Sequence, residues 1–503
     1  MITKIALPIV AVLLILYVTV SILTSGGNAL SEAMLYLAVL GLFIGILNPK
    51  AGMMFVFVCG NYLDFFKRFL AVSGSFSFSD VIKTLAVAPV ATIGVFAGLM
   101  VNYSRQHETG LPKYRFILAL FISGIVVGAS MTGGQSMSTV MQSAANSALY
   151  VALIAFAGTL YQNVDAQHRL MRTLLLLFIP VVLYGWVQLV EGYNRIEVLY
   201  ALSGLSSIVN PLIHPSLVEY KRVFSTMNSS VAYTLVGSIL GVYALLFGFG
   251  KGFFPRFAGV VFAVVCLSSH IPGAGRTGWV VVIIAIFCYY IFRSSKLTLA
   301  AYVLAGGGTV FFLARAKQIG EWLVRNTQSL LGGSDFSERA INMGTFSSRT
   351  QGVHEWMTNP RLFSWFGLPQ KELKAAGAHD MVGQLYTSVG VVGLSLALIF
   401  IIVSLVYLHR NLLRIRDRDA SKLAAFFMAN VFALLMGAVF SGSSLHVFPV
   451  NVYFWLMVGL LFQIIENDKQ QRRELATNIT SGSGSLSGSE ATRPFRRGAL
   501  LPA

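Results

Sequence analysis

Apolar runs long enough to cross a lipid bilayer follow one another almost from end to end of this chain, and nothing else limits its fold so tightly. A helix needs roughly 17 to 25 mostly apolar residues to traverse about 30 Å of hydrocarbon while satisfying its own backbone hydrogen bonds. About fourteen runs meet that need: 5–23, 30–47, 51–66, 81–102, 116–132, 143–162, 170–191, 230–250, 254–269, 278–295, 297–313, 385–408, 422–442 and 447–465. The pattern predicts an all-α polytopic membrane protein. Of 503 residues, 55% are hydrophobic and 11% charged, against about a quarter charged in soluble domains. The first run follows Lys4 and lacks a small-residue cleavage site, so it reads as a retained span and not a signal peptide.

The domain plan follows from the runs. Residues 1–313 hold the first eleven helices, 314–384 a large loop, 385–465 the last three helices, and 466–503 a polar, Ser/Gly-rich, basic tail expected to be disordered. The net charge of +17 then concerns where Lys and Arg fall relative to the spans rather than nucleic acid. Lys4, Lys50, Arg105, Lys113, Arg115, Arg169, Arg172, Lys251, Arg256, Arg293, Lys296, Arg410, Arg414, Arg416, Arg418 and Lys422 all fall on one side, together with Lys469, Arg472 and Arg473. The positive-inside tendency makes that side cytoplasmic, with both termini on it. The opposite short loops Thr24–Ala29 and Gly133–Gln142 carry neither Lys nor Arg. Asp64, inside the short run 51–66, and the outward Lys67 and Arg68 fit this register least well. The three cysteines, Cys59, Cys266 and Cys288, lie inside apolar runs and read as packing residues.

Outward positive charge gathers in three further places. Arg195, Lys221 and Arg222 lie in the loop 192–229; Arg276 lies in the tight loop 270–277; eight Lys and Arg lie between Arg315 and Lys374. Arg276 stands on a Gly-rich turn, Gly273-Ala-Gly-Arg276-Thr-Gly-Trp279, and guanidinium suits bidentate recognition of phosphate oxygens. A snorkelling anchor for the next helix explains it equally well. Lys221 and Arg222, followed by Ser225, Thr226 and Asn228, fit a diphosphate or a sugar hydroxyl, or a plain interfacial basic cluster. The long loop carries Trp322, Trp356, Trp365, Phe346 and Phe363 and is expected to form amphipathic helices over 316–331 and 347–357, the second bearing Arg349 and His354. His379, just before the span at Leu385, has the chemistry of a general base near neutral pH, although a lone interfacial His is more often a bystander. Asp417-Arg418-Asp419 lies among basic residues and reads as a solvated turn.

Three of these elements, in order, resemble signatures of the O-antigen ligase and O-antigen polymerase superfamily. Arg222-Val-Phe-Ser-Thr-Met-Asn228 is similar to the family's Arg-x-x-(Ser/Gly)-x-x-Asn element before a span. Gly273 to Trp279 is similar to its Ser-x-Ser-Arg turn. Arg349, Trp356 and His379, with Gly390 eleven residues past the His, are similar to its long-loop signature. The resemblance covers about Pro211 to Leu408; Ala274, Gly275, Asp380 and Gly383 depart from the pattern. It implies a GT-C-like membrane glycosyltransferase with a helical periplasmic loop in the bacterial inner membrane, needing no cofactor or metal. The donor would be an undecaprenyl-diphosphate-linked oligosaccharide. His379 would be the base, Arg276 and Arg349 would hold the diphosphate, and Lys221, Arg222 and Asn228 would assist in binding. A polymerase, with a glycan acceptor, is the expectation, and a ligase using lipid A core is the alternative. Other polysaccharide-assembly proteins are the expected partners, besides membrane lipid. A polysaccharide flippase also fits the span number, but transporters tend to show repeats and broken polar helices at mid-membrane. A non-catalytic scaffold would leave the Arg and His pattern without a cause.

Overall fold

The computed structural model describes residues 29–73, 78–105, 113–132, 144–202, 223–250, 252–273, 275–293, 364–365, 381–440, 445 and 447–483. Every regular element among the described residues is a helix. In chain order they are α1 (Ala29–Leu47), α2 (Pro49–Ser73), α3 (Phe78–Arg105), α4 (Lys113–Thr132), α5 (Leu153–Leu160), α6 (Val164–Glu191), α7 (Arg195–Leu202), α8 (Ser230–Phe247), α9 (Phe253–Ser268), α10 (Arg276–Phe292), α11 (Met381–Leu412), α12 (Arg418–Phe440) and α13 (Val450–Ser483). Short helical pieces precede α5 at Ala144–Ala148 and Leu149–Val151, and α10 at His270–Gly273. Seven stretches within these helices are long and apolar enough to cross a membrane: Lys83–Val101, Val164–Glu191, Ser230–Phe247, Phe253–Gly273, Val389–Leu412, Arg418–Ala438 and Val450–Thr477. Glu32–Leu47, Tyr114–Val127 and Thr277–Phe292 are apolar but shorter. The chain is thus a helical, multi-pass membrane protein. The expected runs 5–23 and 297–313 and the expected loop helices 316–331 and 347–357 lie outside the described residues.

The core is built around α8, in which every residue from Ala232 to Ala244 is buried. Packed on it are α6, α9 and α10; α12 joins α10 to α13, and α13 packs on α5. On the outer side of α11, Leu396, Ile399, Ile402 and Val403 are 58–62% exposed, an apolar face suited to lipid and not to water. The helix starts are set by local chemistry. Asn163 caps α6 by accepting the Ala166 amide at 2.8 Å, and Ser229 caps α8 by accepting that of Ala232 at 3.1 Å.

Side-chain contacts define two ends of the bundle. At one, the buried Arg115 guanidinium pairs with Glu466, the Arg416 amide donates to Asp468 at 3.0 Å, Lys469 reaches the Tyr407 hydroxyl at 2.9 Å, and the His409 ring lies 5.3 Å from Phe292. Asn467 donates to the carbonyl of Gln162 at 2.6 Å, which brings the start of α6 to the same end. There Asp417 is exposed and its carboxylate accepts the amides of Asp419 and Ala420, so the Asp-Arg-Asp sequence is a helix-starting turn. Gln188 lies twenty residues along α6 from His168, about 30 Å at 1.5 Å per residue. It belongs to the opposite end, with 64–68, 193–197, 223–229 and 270–276.

Two helices differ from expectation. The run 143–162 is not one continuous helix: a π-type turn at Ala144–Ala148 precedes the α-helical pieces. The Ser123 hydroxyl of α4 donates to the Ala148 carbonyl at 3.0 Å, taking that acceptor out of the ladder where the register shifts. At the other extreme, α13 does not stop at Glu466 where the composition turns polar but continues to Ser483. Side-chain pairs one turn apart support the extension: Gln463 with Asn467 at 2.7 Å, Arg472 with Asp468 at 2.7 Å, and Gln470 with Glu474 at 3.0 Å.

Candidate active site

The end of the bundle that carries 223–229 is organised around one arginine. Arg68, on α2, is fully buried. A guanidinium in that position needs acceptors for its donors, and both terminal nitrogens of Arg68 have them, while its Nε has none among the described residues. Nη1 donates to Glu197 at 3.0 Å and to the Ser225 carbonyl at 2.7 Å; Nη2 donates to Asp64 at 3.1 Å and to the Met227 carbonyl at 2.5 Å. Its planar face lies 4.3 Å from the centre of the Phe224 ring, which stacks on Tyr193 at 5.1 Å. Lys67, 3% exposed, pairs with Asp64. Two cations thus face two carboxylates. Although sequence counts Lys67 and Arg68 among the outward positive charges, the pairing leaves them no net charge to offer a ligand.

Glu197 is itself held from several sides. Its carboxylate accepts from Tyr184 at 3.0 Å, Gln188 at 2.5 Å and the Asn194 amide at 3.1 Å, while the Glu197 amide donates to the Asn194 Oδ1 at 2.9 Å. Tyr200, one turn along α7, is buried with Lys67 6.0 Å from its ring centre. Burial, reinforced by the Asp64 carboxylate, holds its phenol above the usual range, so it stays protonated.

This cluster shapes the segment that carries the first signature. Ser225 has φ +56°, a left-handed conformation rare for a residue with a Cβ. All its polar groups are anchored: the amide donates to Gln188 at 2.8 Å, the carbonyl accepts from Arg68, and the hydroxyl donates to the Val181 carbonyl at 2.5 Å. The Thr226 hydroxyl donates to the Asn61 carbonyl at 2.6 Å. These two hydroxyls therefore point into the protein and hold the loop, where sequence had considered them for a ligand. Asn228 ends the loop, half-buried, one residue before the Ser229 cap. Lys221 and Arg222 lie outside the described residues, but their neighbour Val223 donates its amide to the Pro272 carbonyl at 3.2 Å.

That bond joins the first signature to the second. His270 and Pro272 are buried in the turn between α9 and α10. The His270 Nδ1 lies 2.7 Å from the Leu267 carbonyl and its Nε2 2.9 Å from the Ser238 hydroxyl, which also reaches the Gly278 carbonyl at 3.0 Å. Its ring is tilted against Trp279 at 4.7 Å. Gly275 and Gly278 are required by close approach: a Cβ on Gly275 would come 2.4 Å from Thr234 of α8, and one on Gly278 would come 2.5 Å from His270 Nε2. The glycines expected to admit close approach thus admit the protein's own α8. Arg276 is the first residue of α10, placed at this end by the turn.

The third signature is described only at its close. Gly390 interrupts α11 with φ +68°, a conformation glycine adopts without a steric penalty. The Val391 and Val392 amides past this break donate to the carbonyls of Ser364 and Trp365 at 3.1 and 3.2 Å, and the Ser364 amide donates to the Tyr386 hydroxyl at 3.2 Å. The long loop is thus clasped to the helix at Ser364 and Trp365. His409, in the last turn of α11, meets Phe292, the last residue of α10. By helix direction, Gly390 and Arg276 therefore lie toward the same end. Arg349 and His379 lie outside the described residues.

Asp64, Gln188 and Glu197 are the functional candidates that sequence reading passed over. The available signal was a pair of carboxylates, one inside a span and one just beyond another, for outward cations that had no other reason. Cys59, Cys266 and Cys288 are free and buried, as expected of packing residues. Among the described residues, no cluster of three or more His, Cys, Asp or Glu is disposed to hold a metal. No family profile, curated protein or solved structure matches the chain.

Proposed function

We propose that this protein is a bacterial inner-membrane glycosyltransferase of the O-antigen ligase and polymerase type, acting as a polymerase on an undecaprenyl-diphosphate-linked glycan at the periplasmic face. In this reading the chain makes about fourteen crossings in a GT-C-like arrangement with both termini cytoplasmic. The observation that carries it is the bond from the Val223 amide to the Pro272 carbonyl. It ties the segment following Lys221 and Arg222 to the turn that introduces Arg276, so two stretches 49 positions apart in sequence are held together.

The backbone supplies two further supports. The family's first element admits Ser or Gly at one position, and here that position is Ser225, which is left-handed. Its long-loop element ends on a Gly, and here that Gly is Gly390, also left-handed. Those residue choices have a conformational reason that a chance match would not supply.

The chemistry follows from charge. The acceptor hydroxyl loses its proton to His379 and its oxygen attacks the anomeric carbon of the donor, forming the new glycosidic bond. The bond from that carbon to the diphosphate oxygen breaks with inversion, and the electron pair leaves with undecaprenyl diphosphate. Arg276 and Arg349, with Lys221 and Arg222, stabilise the charge that grows on that leaving group. Asn228 contributes a hydrogen bond to the bound donor. The test is transfer by the purified chain in proteoliposomes that contain a defined lipid-linked repeat unit and no ion gradient, read by product mass. Multimers of the repeat unit are expected with the wild-type chain and none with His379→Ala. Wild-type transfer by His379→Ala removes the base; absence of any product from wild type sinks the reading.

A further inference from the structure

We infer that Arg68 and Glu197 are positioning residues that hold 223–227 in one conformation, and that donor binding by the residues flanking this loop, Lys221, Arg222 and Asn228, depends on that hold; this rests on the function proposed above. Five consecutive residues are fixed, and Arg68 supplies contacts to three of them: the Phe224 ring and the carbonyls of Ser225 and Met227. Val223 is held by Pro272 and Thr226 by Asn61. Glu197 fixes Arg68 and, through Gln188, reaches the Ser225 amide.

The identity of the central residue matters for a geometric reason. Two backbone carbonyls and two carboxylates surround it, and only a forked, planar guanidinium donates to all four at once. A lysine ammonium carries the charge but not the fork. The neutrality of the set matters too. With Asp64 and Glu197 balancing Lys67 and Arg68, the cluster shapes the loop without adding a competing anion site beside it. Arg68 therefore acts on the donor through the loop it holds and not as a ligand.

The experiment uses the full-length protein in nanodiscs, with undecaprenyl diphosphate as the probe. Hydrogen exchange of the Val223, Ser225 and Met227 amides is expected to rise by about a hundredfold in Arg68→Met while amides of α10 and α12 keep their protection. Probe affinity is expected to fall by about tenfold or more, roughly the value of one good interaction. If Arg68 works through Arg222, the Arg68→Met/Arg222→Ala double variant binds no more weakly than Arg222→Ala alone. A merely structural role would instead give losses that add. Arg68→Lys keeps the buried charge balanced and guards against misfolding of the methionine variant; it is expected to retain the fold and still lose affinity. Additive losses, or unchanged exchange at 223–227, overturn the inference. Failure of the wild-type chain to bind the probe overturns the proposed function instead, and the exchange measurement still decides whether Arg68 holds the loop.

Discussion

Replacing Glu197 by Gln removes one charge from a set of four while keeping side-chain size. Asp64, Lys67, Arg68 and Glu197 sum to zero, and the side chains of the Arg68–Glu197 pair are 0% and 1% exposed. In Glu197→Gln the sum becomes +1 with no water to absorb it. The amide also brings a donor into a place where Arg68, Tyr184, Gln188 and the Asn194 amide all donate. Breaking a buried pair from one side costs about 3–5 kcal/mol. Arg68 keeps Asp64 and two carbonyls, so the lower end, about 3 kcal/mol, is expected. For a chain of 503 residues that is a fall in melting midpoint of roughly 3 °C. Cys59, Cys266 and Cys288 are free and buried, so a thiol-reactive fluorophore added to detergent-solubilised protein reads unfolding directly. The double variant Arg68→Met/Glu197→Gln removes the stranded charge and is expected to melt above Glu197→Gln alone. A Glu197→Gln midpoint within about 1 °C of wild type, the effect of about 1 kcal/mol or less, would mean that the pair is not buried as described.

The backbone yields three more expectations. Ser225→Gly relieves a left-handed residue worth about 1–2 kcal/mol while losing a hydroxyl bond of about 1 kcal/mol, so its midpoint stays near wild type; Ser225→Val keeps the penalty, loses the bond, and melts clearly lower in the same thiol assay. Gly275→Ala places a methyl 2.4 Å from Thr234 and is expected to cost about 1–3 kcal/mol by overpacking, with transfer activity falling alongside stability. Gly390→Ala puts a Cβ at φ +68°, costing about 1–2 kcal/mol, and is expected to raise hydrogen exchange at Val391 and Val392 as their bonds to Ser364 and Trp365 loosen.

How much of this was legible in the sequence depended on how local each cause is. The helices α1, α3, α6, α8, α9, α10, α11 and α12 follow from apolar length alone, because a spanning helix satisfies its own backbone. The break before α5 was not legible, since Ser123 of another helix takes the Ala148 carbonyl. The continuation of α13 was hidden by composition: polar residues from 466 onward read as a tail, yet they pair one turn apart and keep the helix going. At the candidate site, the glycines at 275 and 390 and the Ser at 225 were visible as a pattern, but their reason lies in dihedral angles and in Thr234. The Arg68 cluster was least legible, because its two ends are 129 positions apart and spacing carries no sign of their meeting.

The clasp of Ser364 and Trp365 on the Gly390 break divides the long stretch between α10 and α11 into two tethers of unequal length. The first comprises 294–363, between α10 and the clasp; the second, 366–380, joins the clasp to the start of α11, with His379 its penultimate residue. Closing a loop costs free energy that grows only slowly with its length, so inserted residues in the longer tether add little and leave the shorter one unaltered. Residues inserted before position 364 are therefore expected to cost little, whereas residues inserted after 365 change the distance along the chain from clasp to imidazole.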